Sequence, residues 1–299
     1  MTGGTASEWA IGGAIVVDTA QNVIVVGGFS GSLTFGLGPG LKNSSPISVG
    51  FVVKLSSNGT VIWSRQFGTA FVAYVHEVAA NKKGEVLVAG SFAGTADFGL
   101  GPVTSQGATD VFLAKLDPAG KTQWVRTHGS PVDDTVRGAG FDASGRAYVM
   151  TNFDGWNGSA KGANARHSII VHDANGTELW RLETANAGDD GNTLAAVGAS
   201  GDSVVTYGFN GINGAKLDLG GGELSAPGNV VYILAKYDAQ GKHIWSASLG
   251  CQGPSAHDVR VLDDGAVLVT GAFLKQVGLG DTVVMSAGNW DAFAMVVEP

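Results

Sequence analysis

Ala114-Lys115-Leu116-Asp117-Pro118-Ala119-Gly120-Lys121-Thr122-Gln123-Trp124 decides the fold, because the chain writes it more than once. Ala235-Lys-Tyr-Asp238-Ala-Gln-Gly241-Lys-His-Ile-Trp245 is a close copy. Val53-Lys-Leu-Ser-Ser-Asn-Gly59-Thr-Val-Ile-Trp63 and Ile170-Val-His-Asp173-Ala-Asn-Gly176-Thr-Glu-Leu-Trp180 are looser ones. Val111 to Leu116 reads as a mostly buried strand. Asp117-Pro118-Ala119-Gly120 then reads as a type I turn: Asp accepts backbone bonds, Pro presets φ, and Gly permits the positive φ of a bulged hairpin. Lys121 to Arg126 returns as the partner strand. A Trp on such an outer strand can bury its ring against the next copy. The Trp series is therefore read as glue between repeats.

Working outward, each unit holds four strand-like segments, in the second unit Tyr74–Ala80, Glu85–Phe92, Asp110–Leu116 and Lys121–Thr127. The second segment always ends on Phe: Phe29, Phe92, Phe153, Phe209 and Phe273, at spacings of 63, 61, 56 and 64 residues. β-Branched runs such as Val23-Ile-Val-Val and Val86-Leu-Val-Ala argue strand, and no amphipathic helix emerges. Long Gly-rich loops follow the second segments, over 30–50, 93–109, 154–166, 210–229 and 274–290. Three of them carry a shared signature: Phe35-Gly-Leu-Gly-Pro, Phe98-Gly-Leu-Gly-Pro and Val277-Gly-Leu-Gly-Asp.

Four short strands per unit of this length is the arithmetic of a propeller blade. The expected fold is all-β, a five-bladed β-propeller of four-stranded antiparallel blades. Its blades fall near 10–67, 68–128, 129–184, 185–249 and 250–299 of one domain. Gly90–Gly99, Asp110–Asp117 and Gly120 to Trp124 resemble the bacterial SBBP-type propeller repeat, and more loosely the tryptophan-docking propellers of quinoproteins. That resemblance covers almost the whole chain and implies the fold rather than an activity. The third unit departs most, its loop Asp154-Gly-Trp-Asn-Gly-Ser lacking the Phe-Gly-Leu-Gly element. The fifth unit ends at Asp291–Pro299, which aligns with Asp110–Pro118, so its Trp-bearing strand is missing. An unpaired blade edge invites a partner, and residues 2–9 are expected to supply the closing strand. The alternative is five blades of a longer ring.

Composition narrows the function. The chain has 299 residues, a net charge of −8 and 15% charged residues, without acidic or basic runs. Nothing resembles a basic patch, so nucleic acid is not the expected partner. Cys251 is the single cysteine, which removes internal disulfides and Cys-based zinc sites. No apolar run reaches the roughly 18 residues of a membrane helix, so no membrane insertion is expected. The start lacks the basic and apolar stretches of a signal peptide. Gly-, Ser-, Thr- and Asn-rich repeats with few charges resemble exported bacterial proteins. The expectation is a secreted or cell-surface protein whose signal lies outside this sequence, with a cytoplasmic one as the alternative.

Enzyme motifs fail. Asp97-Phe98-Gly99 lacks the catalytic loop of a kinase, no Gly-x-Ser-x-Gly elbow occurs, and Gly36-Leu-Gly-Pro-Gly40 opens no helix to hold a phosphate. No catalytic residue, cofactor or metal is assigned. Topology still names a candidate surface. The starts of the innermost strands should ring a channel mouth, bringing together Tyr74, His76 and Glu77, Asp133, Asp134 and Arg137, Asp189, Asp190 and Asn192, and His257, Asp258 and Arg260. His76, Arg137, Thr193 and His257 share one register, 16 residues before their Phe, with Gly13 in the first unit. These side chains either form a polar pocket for a sugar, a cation or a cationic group, or pair with one another around a solvated channel. Trp156 and Trp290 lie outside the docking series, as platforms for sugars or proteins or as packing beneath loops.

The expected function is non-enzymatic binding of a glycan or another macromolecule at the loop-rich face. The alternatives are a protein-interaction scaffold or a fragment of a larger propeller, and a hydrolase or lyase with paired acids such as Glu77 and Asp258 at the channel mouth.

Overall fold

The computed structural model describes residues 9–36, 38, 40–43, 47–68, 73–153, 166–185, 193–210, 216–225, 230–249, 255–279 and 282–298. Among them there is no helix; strands form five antiparallel sheets in succession along the chain. The first contains β1 (Trp9–Val17), β2 (Val23–Leu33), β4 (Val49–Leu55) and β5 (Val61–Phe67), with the short β3 (Leu41–Asn43) paired to β2. The second contains β6 (Ala73–Ala80), β7 (Val86–Phe92), β10 (Asp110–Leu116) and β11 (Thr122–His128). The third is built from β12 (Thr135–Phe141), β13 (Ala147–Phe153), β14 (Arg166–His172) and β15 (Glu178–Ala185). The fourth has β16 (Ala195–Val197), β17 (Ser203–Asn210), β20 (Val230–Tyr237) and β21 (His243–Ser248). The fifth has three strands, β22 (Ser255–Val261), β23 (Val267–Phe273) and β26 (Asp291–Val297).

The loops after the second strands are more ordered than their glycine content suggests. They hold small two-stranded hairpins: β8 (Thr95–Asp97) with β9 (Pro102–Thr104), β18 (Lys216–Asp218) with β19 (Glu223–Ser225), and β24 (Gln276–Leu279) with β25 (Thr282–Met285). Asp97 and Asp218 each accept two backbone N–H bonds from the glycines that follow, which turns the hairpin. The Phe of the Phe-Gly-Leu-Gly signature is a core residue. Phe98 is buried and stacks on Phe112 at 4.3 Å between ring centroids.

The turn chemistry that defines the repeat is realised. Asp117 Oδ1 accepts from the Ala119 and Lys121 amides at 3.0 and 2.8 Å, and Gly120 sits at φ +77°. Asp173 and Asp238 repeat the arrangement. Each turn then seats an indole from the preceding sheet. Trp63 donates its ring N–H to the Pro118 carbonyl at 2.9 Å, Trp124 to Ala174 at 3.1 Å and Trp180 to Ala239 at 3.2 Å. A Cβ on Gly120, Gly176 or Gly241 would come within 2.7, 2.7 and 2.8 Å of these rings. Glycine is thus required twice there, for the positive φ and for the close approach.

Apolar clusters fill the spaces between consecutive sheets. The inner-edge strands β1, β6, β12, β16 and β22 touch in that order. Among the described residues no comparable contact joins β22 to β1, and Ile11, Ile15 and Val17 of β1 are exposed. The closing strand expected of residues 2–9 falls, apart from Trp9, outside the described residues. Trp9 itself starts β1, opposite Ser30 of β2.

Candidate functional site

One irregularity recurs in the inner-edge strands. The pairing of β6 with β7 slips between Val75 and Glu77, that of β12 with β13 between Val136 and Gly138, and that of β22 with β23 between Ala256 and Asp258. The extra residues are His76, Arg137 and His257, three of the positions that share one register in the sequence. β1 slips likewise between Gly12 and Ile15, across Gly13. A bulge leaves its extra residue out of the ladder and bends the strand, so it re-aims a side chain. Gly13 carries no side chain for a steric reason: a Cβ there would lie 2.3 Å from the Val75 carbonyl oxygen. β16 is short, and Thr193 precedes it as a buried residue.

The surroundings of these residues are polar and partly desolvated. His76 bonds through Nε2 to Ser91 Oγ at 2.9 Å, and its ring lies 4.6 Å from that of Tyr74. Tyr74 reaches over to the first sheet, 3.3 Å from the carbonyls of Ile11 and Gly12. Burial, and then the Arg137 cation, hold His76 down at about 4, so its imidazole is neutral at physiological pH. Burial pushes Glu77 up to about 7, with Arg260 opposing and Asp258 adding to the rise. Glu77 of the second sheet therefore shares its space with β22 of the fifth. The Arg137 guanidinium makes no hydrogen bond or ion pair among the described residues, and its Nε is buried. It lines a narrow crevice between the third and fourth sheets with Thr151, Ser168 and Thr193, where the hydroxyls of Thr151 and Ser168 are also buried without partners.

Not every expected site residue joins this group. Asp134 is a structural acid: it is fully buried and accepts from the Ser130 amide and hydroxyl at 2.5 and 2.8 Å. Asp133 bridges to Thr109 beside it. Asp258 and His257 are exposed, and Asp258 pairs with Arg260 at 3.2 Å. Trp290 is 57% exposed on the segment that leads into β26. Trp156, Asp189, Asp190 and Asn192 lie outside the described residues. Among the described residues no group of three or more His, Cys, Asp or Glu side chains could hold a metal.

Sequence reasoning passed over a second polar cluster, between the second and third sheets. His128 and His172 are both buried, their rings 5.2 Å apart, with Arg181 3.4 Å from His128. Burial first, with Arg126 and Arg181 adding, lowers both to about 4. The signal was available, since His172 stands where the second unit has the core residue Leu116, but a lone histidine on a strand reads as structural.

No family model matches the chain, so the resemblance to SBBP-type repeats rests on the repeat residues alone. An uncharacterized WD repeat-containing protein, L264 of Acanthamoeba polyphaga mimivirus, is 24% identical over 235 residues, 64% of this chain and 17% of that protein. The similarity is thus to a repeat protein of propeller type, of which the chain spans less than a fifth. Among solved structures, a rhamnogalacturonan lyase, YesW, aligns with 94% of this chain and 59% of its own at 13% identity and a TM-score of 0.35.

Proposed function

We propose that the five sheets are blades of a β-propeller that serves as a binding scaffold. Its ligand is an acidic saccharide, bound without chemical change where the inner strands bulge. The observation that carries this reading is the aligned set of bulges. One strand deformation, repeated in the second, third and fifth sheets, sets His76, Arg137 and His257 at one register. Arg137 stands there as a half-buried cation without a counter-ion among the described residues, a costly state that an anionic ligand relieves. Tyr74 and His76 offer adjoining aromatic rings of the kind on which a sugar packs. Similarity to a WD repeat protein supports the scaffold part of the reading.

A glycan array carrying neutral, uronate-bearing and sulfated oligosaccharides tests it, followed by calorimetric titration of the hits. Acidic glycans should bind, and Arg137→Ala should weaken them at least tenfold. Equal binding of neutral glycans, or affinity untouched by Arg137→Ala, refutes the site. A second reading, docking of a protein, is favoured by the exposed apolar strip of Trp9, Ile11, Ile15 and Val17 on β1. An Ile15→Asp variant that loses a protein partner while keeping glycan affinity would separate the two.

A further inference from the structure

We propose that the free edge of β26 accepts a fourth strand in trans: an extended peptide bearing this repeat's own Gly-x-x-x-Trp pattern, supplied by a different polypeptide. The inference stands apart from the saccharide reading, since it concerns the outer edge of the fifth sheet and not the inner strands.

Three observations meet there. First, β26 pairs only with β23 among the described residues, whereas the third strand of each other sheet has two neighbours. Along its edge runs a cleft of about 640 Å³, floored by residues 291–296 and walled by Val277, Gly278, Val284 and Met285. Second, the wall is a cradle that the other sheets fill. In the first sheet a Cβ on Gly38 would strike the Val61 side chain at 2.6 Å. In the second, Thr122 lies on Gly99 and donates to the Phe98 carbonyl at 2.6 Å. In the fourth, the His243 ring covers Gly221. Val61, Thr122 and His243 are each the second residue after the turn glycine of an outer strand. Gly278 of the fifth sheet, aligned with Gly99, has no such residue above it and opens onto the cleft instead.

Third, a donor is stranded. Trp63, Trp124 and Trp180 each give their indole N–H to the second residue of the next turn. Trp245 is the fourth of the series, and its buried indole nitrogen has no acceptor. A buried unpaired donor costs about 1–3 kcal/mol. An incoming hairpin strand would fix the turn beyond β26 and so place a carbonyl over this indole.

These features also fix the partner's chemistry and register. Strand addition takes its affinity from main-chain bonds and its selectivity from alternate side chains. Lys54, Lys115 and Lys236 each oppose the Trp of their outer strand, so the incoming Trp should oppose Val296. A β-branched residue or a histidine two positions after the glycine would rest on Gly278. The strand would cover Val284, Met285 and Val296, all more than half exposed.

The test titrates the full chain with a synthetic peptide of the sequence Asp117–His128, against a scrambled control, by calorimetry. Nitrogen-15 NMR of the Trp245 indole, assigned by its loss in Trp245→Phe, gives a local readout. The expected result is saturable one-to-one binding that shifts the Trp245 resonance. Gly278→Val should weaken it at least tenfold and Trp245→Phe several-fold. Absence of binding overturns the proposal, as does binding that survives both substitutions or equals that of the control. Binding seen only after deletion of residues 1–8 would make that segment the occupant, and supply in trans would be wrong. A self-associated chain that excludes the peptide would give the edge to a second copy, which overturns supply by a different polypeptide as well.

Discussion

Replacing Glu77 by Gln should stabilise the fold at alkaline pH and leave it unchanged at acid pH. Glu77 is raised from 4.5 to about 7 because burial disfavours its charged form and Asp258 adds to this, against the pull of Arg260. A carboxyl whose folded pKa lies above its unfolded value binds its proton more tightly when folded. Its contribution to stability is complete below about pH 4.5 and is lost as the pH climbs through about 7. At about 1.4 kcal/mol per unit the shift corresponds to about 3 kcal/mol of disfavoured ionisation. Solvent reaches this half-buried side chain, which brings the expected gain for Glu77→Gln to about 1–2 kcal/mol above neutral pH. His76 acts in the opposite sense. Held down at about 4, it costs stability as the pH falls below its unfolded value of 6.5. The wild-type curve alone therefore mixes the two groups, and the difference between variant and wild type isolates Glu77. Urea denaturation followed by circular dichroism from acid to alkaline pH measures that difference. It should be near zero at the acid end and reach its plateau above neutrality. A difference that does not vary with pH, or that peaks at the acid end, would refute the claim that Glu77 ionises in a desolvated space shared with β22.

Other consequences can be measured on the same footing. Gly120→Ala should cost at least twice as much as Gly59→Ala in denaturant unfolding. Both glycines have positive φ, but only the first would press a Cβ onto an indole, and Gly59 has open space at a backbone cost of about 1 kcal/mol. Trp124→Phe, which removes the bond to Ala174, should cost at least about 1 kcal/mol, while Trp290→Phe on the exposed segment should stay within about 0.5 kcal/mol. His172→Leu should raise the melting temperature, and by more near pH 5 than near pH 7. Both ring nitrogens of His172 are buried without partners, and its lowered pKa makes the folded state lose stability as the pH falls from 6.5 through about 4.

Much of the strand architecture is legible in the sequence because its causes are local. Asp117 and Gly120 dictate a turn through bonds within four residues, and the period of Phe29, Phe92, Phe153, Phe209 and Phe273 sets the strand count per unit. The segments expected at Tyr74–Ala80 and Asp110–Leu116 match β6 and β10 to within a residue. The small hairpins are missed because β8 and β9 have three residues each, too few to show any period. Their stability comes from Phe98 reaching a core that lies far away in the chain. At the candidate site the common register of His76, Arg137 and His257 can be counted from the sequence, but the bulge that gives it meaning cannot. A bulge depends on what the partner strand leaves unmatched. Asp134 misleads for a related reason, since an acid that caps its own loop and an acid that faces a ligand carry the same letter.

The indole seated beneath the next turn has a mechanical corollary. Each sheet grips its successor chiefly through one ring and one carbonyl, and the successive sheets form a row of nearest-neighbour couplings, as in other repeat arrays. Such a row can be cut. Removing the Trp124 ring severs the grip between the second and third sheets while sparing the junctions on either side, so a single cooperative melt should divide into two. Pulling the protein from its termini should then yield a sawtooth of separate ruptures, with the earliest at whichever junction has lost its ring.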